Sequence, residues 1–338
     1  MREAIAEARR GIGRTSPNPP VGAVVVAGGT VLGRGWHRRA GAPHAEREAL
    51  ADAARNFPAH PLRDATVYVT LEPCSTTGRT PPCTDALIEA GCRRVVFGAG
   101  DPNPRHAGRA APLLAAAGIE VRAGVLCAEC EELIRGFTSV QQIGRPWVLA
   151  KLAISLDGRL TRPPGEGSWL TGTAARDEVQ RLRAAADAIL TSGETLRRDD
   201  PALTVRVPGL LAGRDQPLRV VVTRDPAGLP PGARLFTDAH RGRTIVRSGP
   251  DLADVLCELA SGFGCCNVLV EAGGRLVGRL LEEGLVDELA VFMAPLVTGG
   301  GTPATGGVAG VPRALTGVSF HRFGGDVMLR GVLQRPNI

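Results

Sequence analysis

Three side chains of metal-binding type stand at element boundaries that only a layered fold can bring together. His44 opens a predicted helix, Cys74 ends a predicted strand, and Cys83 heads the next helix. The first helix is expected from His44 to about Arg55, after Pro43, because Ala49, Leu50 and Ala53 fall on one face. Ala65 to Leu71 has the β-branched content of a strand, and Thr84 to Ala90 reads as a helix stopped by Gly91. Val21 to Ala27 and Val31 to Trp36 are apolar runs joined through Gly28-Gly29, a hairpin signal. Arg94 to Gly98 and Ile119 to Val121 add strands; Leu113 to Ala117 and Cys127 to about Gln141 add helices. That order implies a three-layer α/β sandwich around a mixed sheet.

Gly144-Arg145-Pro146 interrupts the pattern and reads as a linker. At roughly 150 residues per domain, a chain of 338 suits two domains, 1–144 and 145–338. The second begins with a strand from Trp147 to Ile154 and continues through a helix from Ala174 to Ala186. Strands follow at Ala188 to Thr191, Arg219 to Thr223 and Thr244 to Arg247, then a helix from Leu252 to Ala260. Asn267 to Val270 is a strand and Leu276 to Glu283 a helix, with late strands in Glu288 to Val297 and Val318 to Leu333. Pro163 to Gly167 and Gly299 to Gly310 are loops.

The residue types at the three boundaries suit one chemistry. A neutral imidazole and two thiolates balance Zn²⁺ to a net charge near zero and leave a fourth tetrahedral position for water. Glu46, two residues beyond His44, is placed to carry protons rather than to bind metal. His44-Ala45-Glu46, then Pro73-Cys74 and Cys83, follows the order seen in zinc-dependent deaminases, but with eight residues between the cysteines. Cys127 and Cys130 lie one turn apart within a helical stretch, and Cys92, Cys257, Cys265 and Cys266 have no histidine near them, so no second metal site is expected.

Leu71-Glu72-Pro73-Cys74-Ser75-Thr76-Thr77-Gly78-Arg79-Thr80-Pro81-Pro82-Cys83 resembles one family closely, the bifunctional deaminase/reductase of riboflavin biosynthesis. The resemblance extends to Pro17-Asn18-Pro19-Pro20-Val21-Gly22 and Asp101-Pro102-Asn103-Pro104. It continues through Lys151 to Arg159, Trp169, Asp199 to Arg206 and Val270 to Gly274, covering nearly the whole chain in order. It implies a cytidine-deaminase-like domain followed by a dihydrofolate-reductase-like domain. The first would deaminate a diaminopyrimidinone ribosylamine 5′-phosphate, and the second would reduce the ribosyl group of the product to ribityl with NADPH.

By the same resemblance, Asn18, Arg79, Asp101 and Asn103 hold the deaminase substrate, with Arg79 suited to a phosphate. Thr76-Thr77 departs from the histidine-containing pair of the family, so the grip of this loop on the sugar phosphate does not carry over. In the second half the resemblance places cofactor contacts at Ala153, Trp169, Thr195 and Asp199, and substrate contacts at Arg183, Leu203, Arg206 and Glu271. Arg183 and Arg206 are candidate clamps for the phosphate. Gly167 stands where the family commonly carries serine, one substrate hydroxyl fewer.

No early strand is followed by G-x-G-x-x-G, which disfavours a Rossmann domain. Instead Gly273, Gly274, Arg275, Leu276, Val277, Gly278 and Arg279 form an expected loop between strand and helix, where backbone N–H groups can receive a pyrophosphate. Arg224, just after a strand, is placed to meet a 2′-phosphate, as any surface arginine can be. Of 40 basic residues all but Lys151 are arginine, and that lysine falls on the strand where the reductase family carries one. A compact ammonium there can orient a ring-opened sugar or give it a proton, which a guanidinium cannot.

Charge bears on partners. A net +6 with aromatic residues at 4% offers no basic, aromatic surface for oligonucleotides, which argues against a base deaminase of RNA or DNA. A zinc-stapled scaffold without catalysis would have no need of Glu46. No apolar run approaches the roughly 20 residues of a membrane span, and Met1-Arg2-Glu3-Ala4 lacks the apolar core of a secretion signal, so a cytoplasmic protein is expected. The expected partner is a small phosphorylated pyrimidine, with one Zn²⁺ per chain and NADPH as cofactors; a homo-oligomer stays open.

Overall fold

The computed structural model describes residues 1–58, 62–77, 81–162, 165, 169–211, 213–249, 251–306 and 312–334. The chain divides into two compact units, Met1–Gly144 and Arg145–Ile338.

The first unit runs α1 (Arg2–Arg9), β1 (Gly22–Ala27), β2 (Thr30–Trp36), α2 (Ala45–Asn56), β3 (Thr66–Leu71), α3 (Cys83–Ala90), β4 (Arg94–Ala99), α4 (Ala110–Ala116), β5 (Glu120–Arg122), α5 (Cys127–Leu133) and α6 (Arg135–Ile143). Its sheet is ordered β2-β1-β3-β4-β5; β1 is antiparallel to β2 and β3, and β3, β4 and β5 are parallel. Helices α1 and α5 pack on one face and α2 to α4 on the other, the expected three layers. The approach of α2 is unusually close. A Cβ on Gly33 or Gly35 would lie 2.2 Å from the Ala49 carbonyl oxygen or 2.3 Å from the Ala49 nitrogen. With alanine at 45, 49 and 53 opposite, the helix settles against the bare β2 backbone, and this seats its N-cap, His44, at the sheet edge.

Two expectations need correction here. Arg2–Arg9 is a helix that the sequence reading passed over, although Ala4, Ile5 and Ala8 form its buried stripe. The helix expected from Cys127 to Gln141 breaks at Ile134 into α5 and α6.

The second unit comprises β6 (Trp147–Ile154), α7 (Thr173–Ala185), β7 (Ala188–Ser192), α8 (Gly193–Asp199), β8 (Leu218–Thr223), α9 (Arg234–Thr237), β9 (Thr244–Ser248), α10 (Leu252–Ser261), β10 (Asn267–Val270), α11 (Gly274–Glu282), β11 (Glu288–Met293), β12 (Leu315–Phe323) and β13 (Asp326–Leu333). Its eight strands are ordered β12-β13-β11-β6-β10-β7-β8-β9. From β11 to β9 all neighbours are parallel, and β12 and β13 add an antiparallel hairpin. Helices α7 to α9 supply apolar residues to one face and α10 and α11 to the other. The α8 segment was not foreseen; Ser192 caps it by accepting the Thr195 N–H. Among the described residues no helix is long and apolar enough to cross a membrane.

Arg145, read as linker, is instead a buried part of the second unit. Its guanidinium meets Asp287 at 2.6 and 2.9 Å, and Asp287 also accepts the Val148 N–H at 2.9 Å. Removing one member of such a pair strands the other charge away from water. Asp287→Ala is therefore expected to lower the unfolding free energy by about 3 kcal/mol, read as a shift of the denaturant midpoint of the full chain; an unchanged midpoint would show that the pair is not needed.

Candidate active sites

In the first unit His44 comes from the start of α2, Cys74 from the loop after β3, and Cys83 from the first residue of α3. His44 Nδ1 lies 3.5 Å from Cys74 Sγ and 3.4 Å from Cys83 Sγ, and all three donor atoms fall within 4.8 Å of one another. An imidazole nitrogen and a thiolate on one tetrahedral zinc stand about 3.6 Å apart, so the donor set fits that ion. The scaffold is local. Cys83 N–H and Thr84 N–H, the opening amides of α3, donate to the Cys74 carbonyl at 3.1 and 3.2 Å, and Cys83 N–H also points at Cys74 Sγ. Arg47 binds the Pro82 carbonyl and so ties α2 to the head of α3.

Electrostatics agree with a cation here. The Cys74 thiol is pulled down by its hydrogen bond with Cys83, with help from His44 and the Cys83 amide. Cys83 is pushed up by that same bond and by burial, because two adjacent thiolates repel until a cation joins them. Glu46 is buried and touches Cys83; loss of water raises its carboxyl above the usual range. A carboxyl held there takes and returns a proton readily. No other described group of histidines, cysteines and acids clusters as metal donors. Cys130 is buried against Gly98, and Cys127 bonds Glu131.

The other predicted residues of this unit gather beside the donors. Asn18 Nδ2 donates to His37 Nε2 at 3.0 Å, while the other ring nitrogen of His37 donates to the Pro43 carbonyl at 3.1 Å. A carbonyl only accepts, so this pairing defines the tautomer and leaves the Asn18 carbonyl oxygen for a ligand. Asp101 accepts the Asn103 N–H, and burial raises its carboxyl. Asn103 Oδ1 accepts the Arg105 N–H, which leaves its amide donors for substrate. Arg79 lies outside the described residues. Sequence reasoning missed His37 and Glu72; an acid directly after the apolar run that ends at Leu71 was the signal for the latter.

In the second unit the candidates collect at the carboxyl ends of the central parallel strands, where open α/β sheets bind ligands. Lys151 and Ala153 point to one side of β6, and Glu271 follows β10 at the level of Lys151. Arg183 grips Glu271 at 2.5 and 3.0 Å and the Thr204 carbonyl at 3.0 Å. The Arg183 fork is thus engaged by Glu271, and its terminal nitrogens keep further N–H donors. Arg206 is exposed, with no acid partner among the described residues. Loss of water lowers the Lys151 ammonium from its ordinary range and Arg183 adds to this, while Glu271 opposes it. Burial opposes ionisation of Glu271, yet Arg183 and Lys151 hold its carboxyl below the usual range.

Thr195 Oγ1 accepts the Gly273 N–H at 3.2 Å, joining the ends of β7 and β10. Trp169 is exposed, with its carbonyl bound by Arg162 and the Arg176 guanidinium 5.3 Å over its ring. Burial raises the Asp199 carboxyl, and Arg224 is exposed just past β8. Leu203 is buried at φ +49, so only its main chain can meet a ligand. The expected loop from Gly273 to Arg279 is not a loop. Helix α11 already begins at Gly274, with Val277 and Gly278 turned into the core and Arg279 paired with Glu283. The first turn around Gly273, Gly274 and Arg275 opens with amides that no capping side chain meets. Gly167 lies outside the described residues.

Each unit matches a known family. Residues 1–99 match the cytidine and deoxycytidylate deaminase zinc-binding region, and residues 146–329 match the RibD C-terminal domain. The riboflavin biosynthesis protein RibD of Escherichia coli K12 is 42% identical over 327 residues, 88% of each chain. That of Aquifex aeolicus is 38% identical over 321 residues, 89% of this chain and 87% of its own. A diaminohydroxyphosphoribosylaminopyrimidine deaminase/5-amino-6-(5-phosphoribosylamino)uracil reductase from Thermotoga maritima superposes with a TM-score of 0.89 at 32% identity, over 99% of this chain and 97% of that one. RibD of Acinetobacter baumannii gives 0.86 at 35% identity, covering 98% and 97%.

The donor geometry makes a direct prediction for metal content. Wild-type protein should carry one zinc per chain by elemental analysis, and Cys83→Ala should lose most of it, because two donors close too little of the tetrahedron. A full zinc complement in that variant would remove Cys83 from the donor set.

Proposed function

The chain belongs to the RibD family, the bifunctional deaminase/reductase of riboflavin biosynthesis, and from that premise we propose how its own residues share the two reactions. The first unit takes a small phosphorylated pyrimidine, a diaminopyrimidinone ribosylamine 5′-phosphate, and replaces its 2-amino group by oxygen. Asn18, Asp101 and Asn103 hold the ring and sugar through the donors and acceptors their local hydrogen bonds leave over. His44, Cys74 and Cys83 would hold zinc, which when bound would supply Lewis-acid activation of the attacking water. Glu46 takes a proton from that water and passes it to the ring nitrogen; it then shuttles the second to the amine, which leaves as ammonia as the carbonyl forms. The observation that carries this reading is the buried Glu46 carboxyl set against one imidazole and two thiols.

The second unit reduces the ribosyl group of the deaminated product to ribityl. The first turn of α11, with Ala153, Thr195 and Trp169, would hold NADPH, which when bound would supply the hydride. As hydride reaches the anomeric carbon, its bond to the ring oxygen opens, and Lys151 supplies the proton that oxygen takes. Glu271, locked by Arg183, holds the ammonium in place, and exposed Arg206 is left to pair with the substrate phosphate. Neither nucleic acid nor membrane enters this reading. Eight cysteines, none joined in a disulfide among the described residues, suit a reducing cytoplasm.

Separate assays of the two half-reactions test it. Glu46→Gln should keep its zinc and lose deamination by at least about 10²-fold, the usual range for a positioned proton carrier, while reduction of a pre-deaminated substrate stays normal. Lys151→Arg should lower reductase turnover by at least about tenfold, because arginine neither fits nor yields a proton, and leave ammonia release unchanged. Normal deamination in the first variant or normal reduction in the second would withdraw the role assigned to that residue.

A further inference from the structure

Two loops rise from the carboxyl ends of the parallel strands β3 and β4. One leads through Cys74 to Thr76; the other carries Asp101, Asn103 and His106. Glu72 binds the second loop to the first. Its buried carboxylate accepts the Asp101 and Gly108 N–H groups at 3.3 and 3.0 Å on one oxygen, and the Ala110 N–H at 3.1 Å on the other. Within the loop the His106 and Ala107 N–H groups donate to the Asn103 carbonyl at 2.9 and 3.0 Å. His106 therefore leaves a backbone that is held both at its ends and at its centre.

Its imidazole reaches back across the gap, with Nδ1 3.2 Å from Thr76 Oγ1. A hydroxyl serves either tautomer, so this contact orients the ring without dictating its charge. Nε2 has no partner among the described residues, and Asp101 lies within electrostatic reach of the ring. Arg105 and Arg109 stand on either side in sequence, exposed and without an acid partner among the described residues. A dianion would find three basic groups along this loop, while its acid, Asp101, is buried and turned to the Asn103 N–H.

We propose that His106 is a substrate contact of the deaminase site, its Nε2 donating to the 5′-phosphate of the bound pyrimidine and its ring held in place by Thr76. This rests on the deaminase reading and adds a specificity residue to it. Thr76 acts through His106 and is a positioning residue. The arrangement also gives the Thr76-Thr77 pair a purpose: an imidazole is presented from the facing loop instead of from the cysteine loop.

The test compares the full chain with His106→Ala and with the double variant Thr76→His/His106→Ala, using the pyrimidine substrate with and without its phosphate. His106→Ala should raise KM for the phosphorylated substrate about tenfold with little change in kcat, the mark of lost binding shared by ground and transition states. Its KM for the dephosphorylated substrate should equal that of the wild type, and its zinc content should stay full, which reports an intact unit. The double variant returns an imidazole from the other member of the same hydrogen-bonded pair and should recover most of the loss. An unchanged KM, or an equal loss on both substrates, would overturn the assignment. If wild-type protein released no ammonia, the deaminase reading itself would fall, whereas release together with an indifferent His106→Ala removes the role of His106 alone.

Discussion

The contact of α2 with the bare backbone of β2 is the constraint on which the first site depends. A Cβ at Gly33 or Gly35 would overlap the helix backbone, so any larger residue would push α2 outward and carry His44 and Glu46 away from the thiols. Metal donors tolerate little displacement, since coordination distances are defined to a few tenths of an ångström. Opposite them, Cys74 is clasped by the opening amides of α3, and Arg47 links the two helices. The packing of small residues and the geometry of the donors are thus one feature of the fold.

The second unit depends on a charge rather than on a close approach. Glu271 and Arg183 are both almost withdrawn from water, and each is tolerable only because the other is there. Lys151, half-buried, joins them from the neighbouring strand, so a lysine, a glutamate and an arginine act on one another. Two basic side chains thus face one acid at the carboxyl ends of β6 and β10. Nearby, Asp157 fastens the 298–299 turn through the Thr298 and Gly299 N–H groups, and hydrogen bonding from Ser155 keeps its carboxyl far below the usual range. The 301–306 segment that follows packs against the side of α11 at Gly274, where a Cβ would sit 2.4 Å from the Pro303 carbonyl oxygen.

Much of this was legible in the residues. His44, Cys74 and Cys83 stood at element boundaries, and boundaries marked by Pro43, Pro82 and Gly91 follow from short-range backbone preferences. The start of α11 was less legible. Glycines after a strand suggest a loop, but burial of Val277 and Leu280 against the sheet draws the helix back to Gly274. Arg2–Arg9 escaped notice because its stripe is made of alanines and one isoleucine, a weak apolar signal until a sheet covers it.

What the sequence by itself determined is the chemistry on offer: one imidazole, two thiols and a carboxylate at named boundaries, and a lone lysine on a strand in an arginine-rich chain. These are properties of residue types and of spacing along the chain, which local physics can read. Tertiary structure alone decided which groups meet. Arg183 and Glu271 are 88 residues apart and touch only because β10 inserts between β6 and β7, out of chain order. Glu72 gathers amides 29 to 38 residues away because β3 and β4 lie side by side. Thr76 meets His106 for the same reason. Strand order is settled by how whole faces bury their apolar area, a sum over the entire unit that no local stretch of sequence contains.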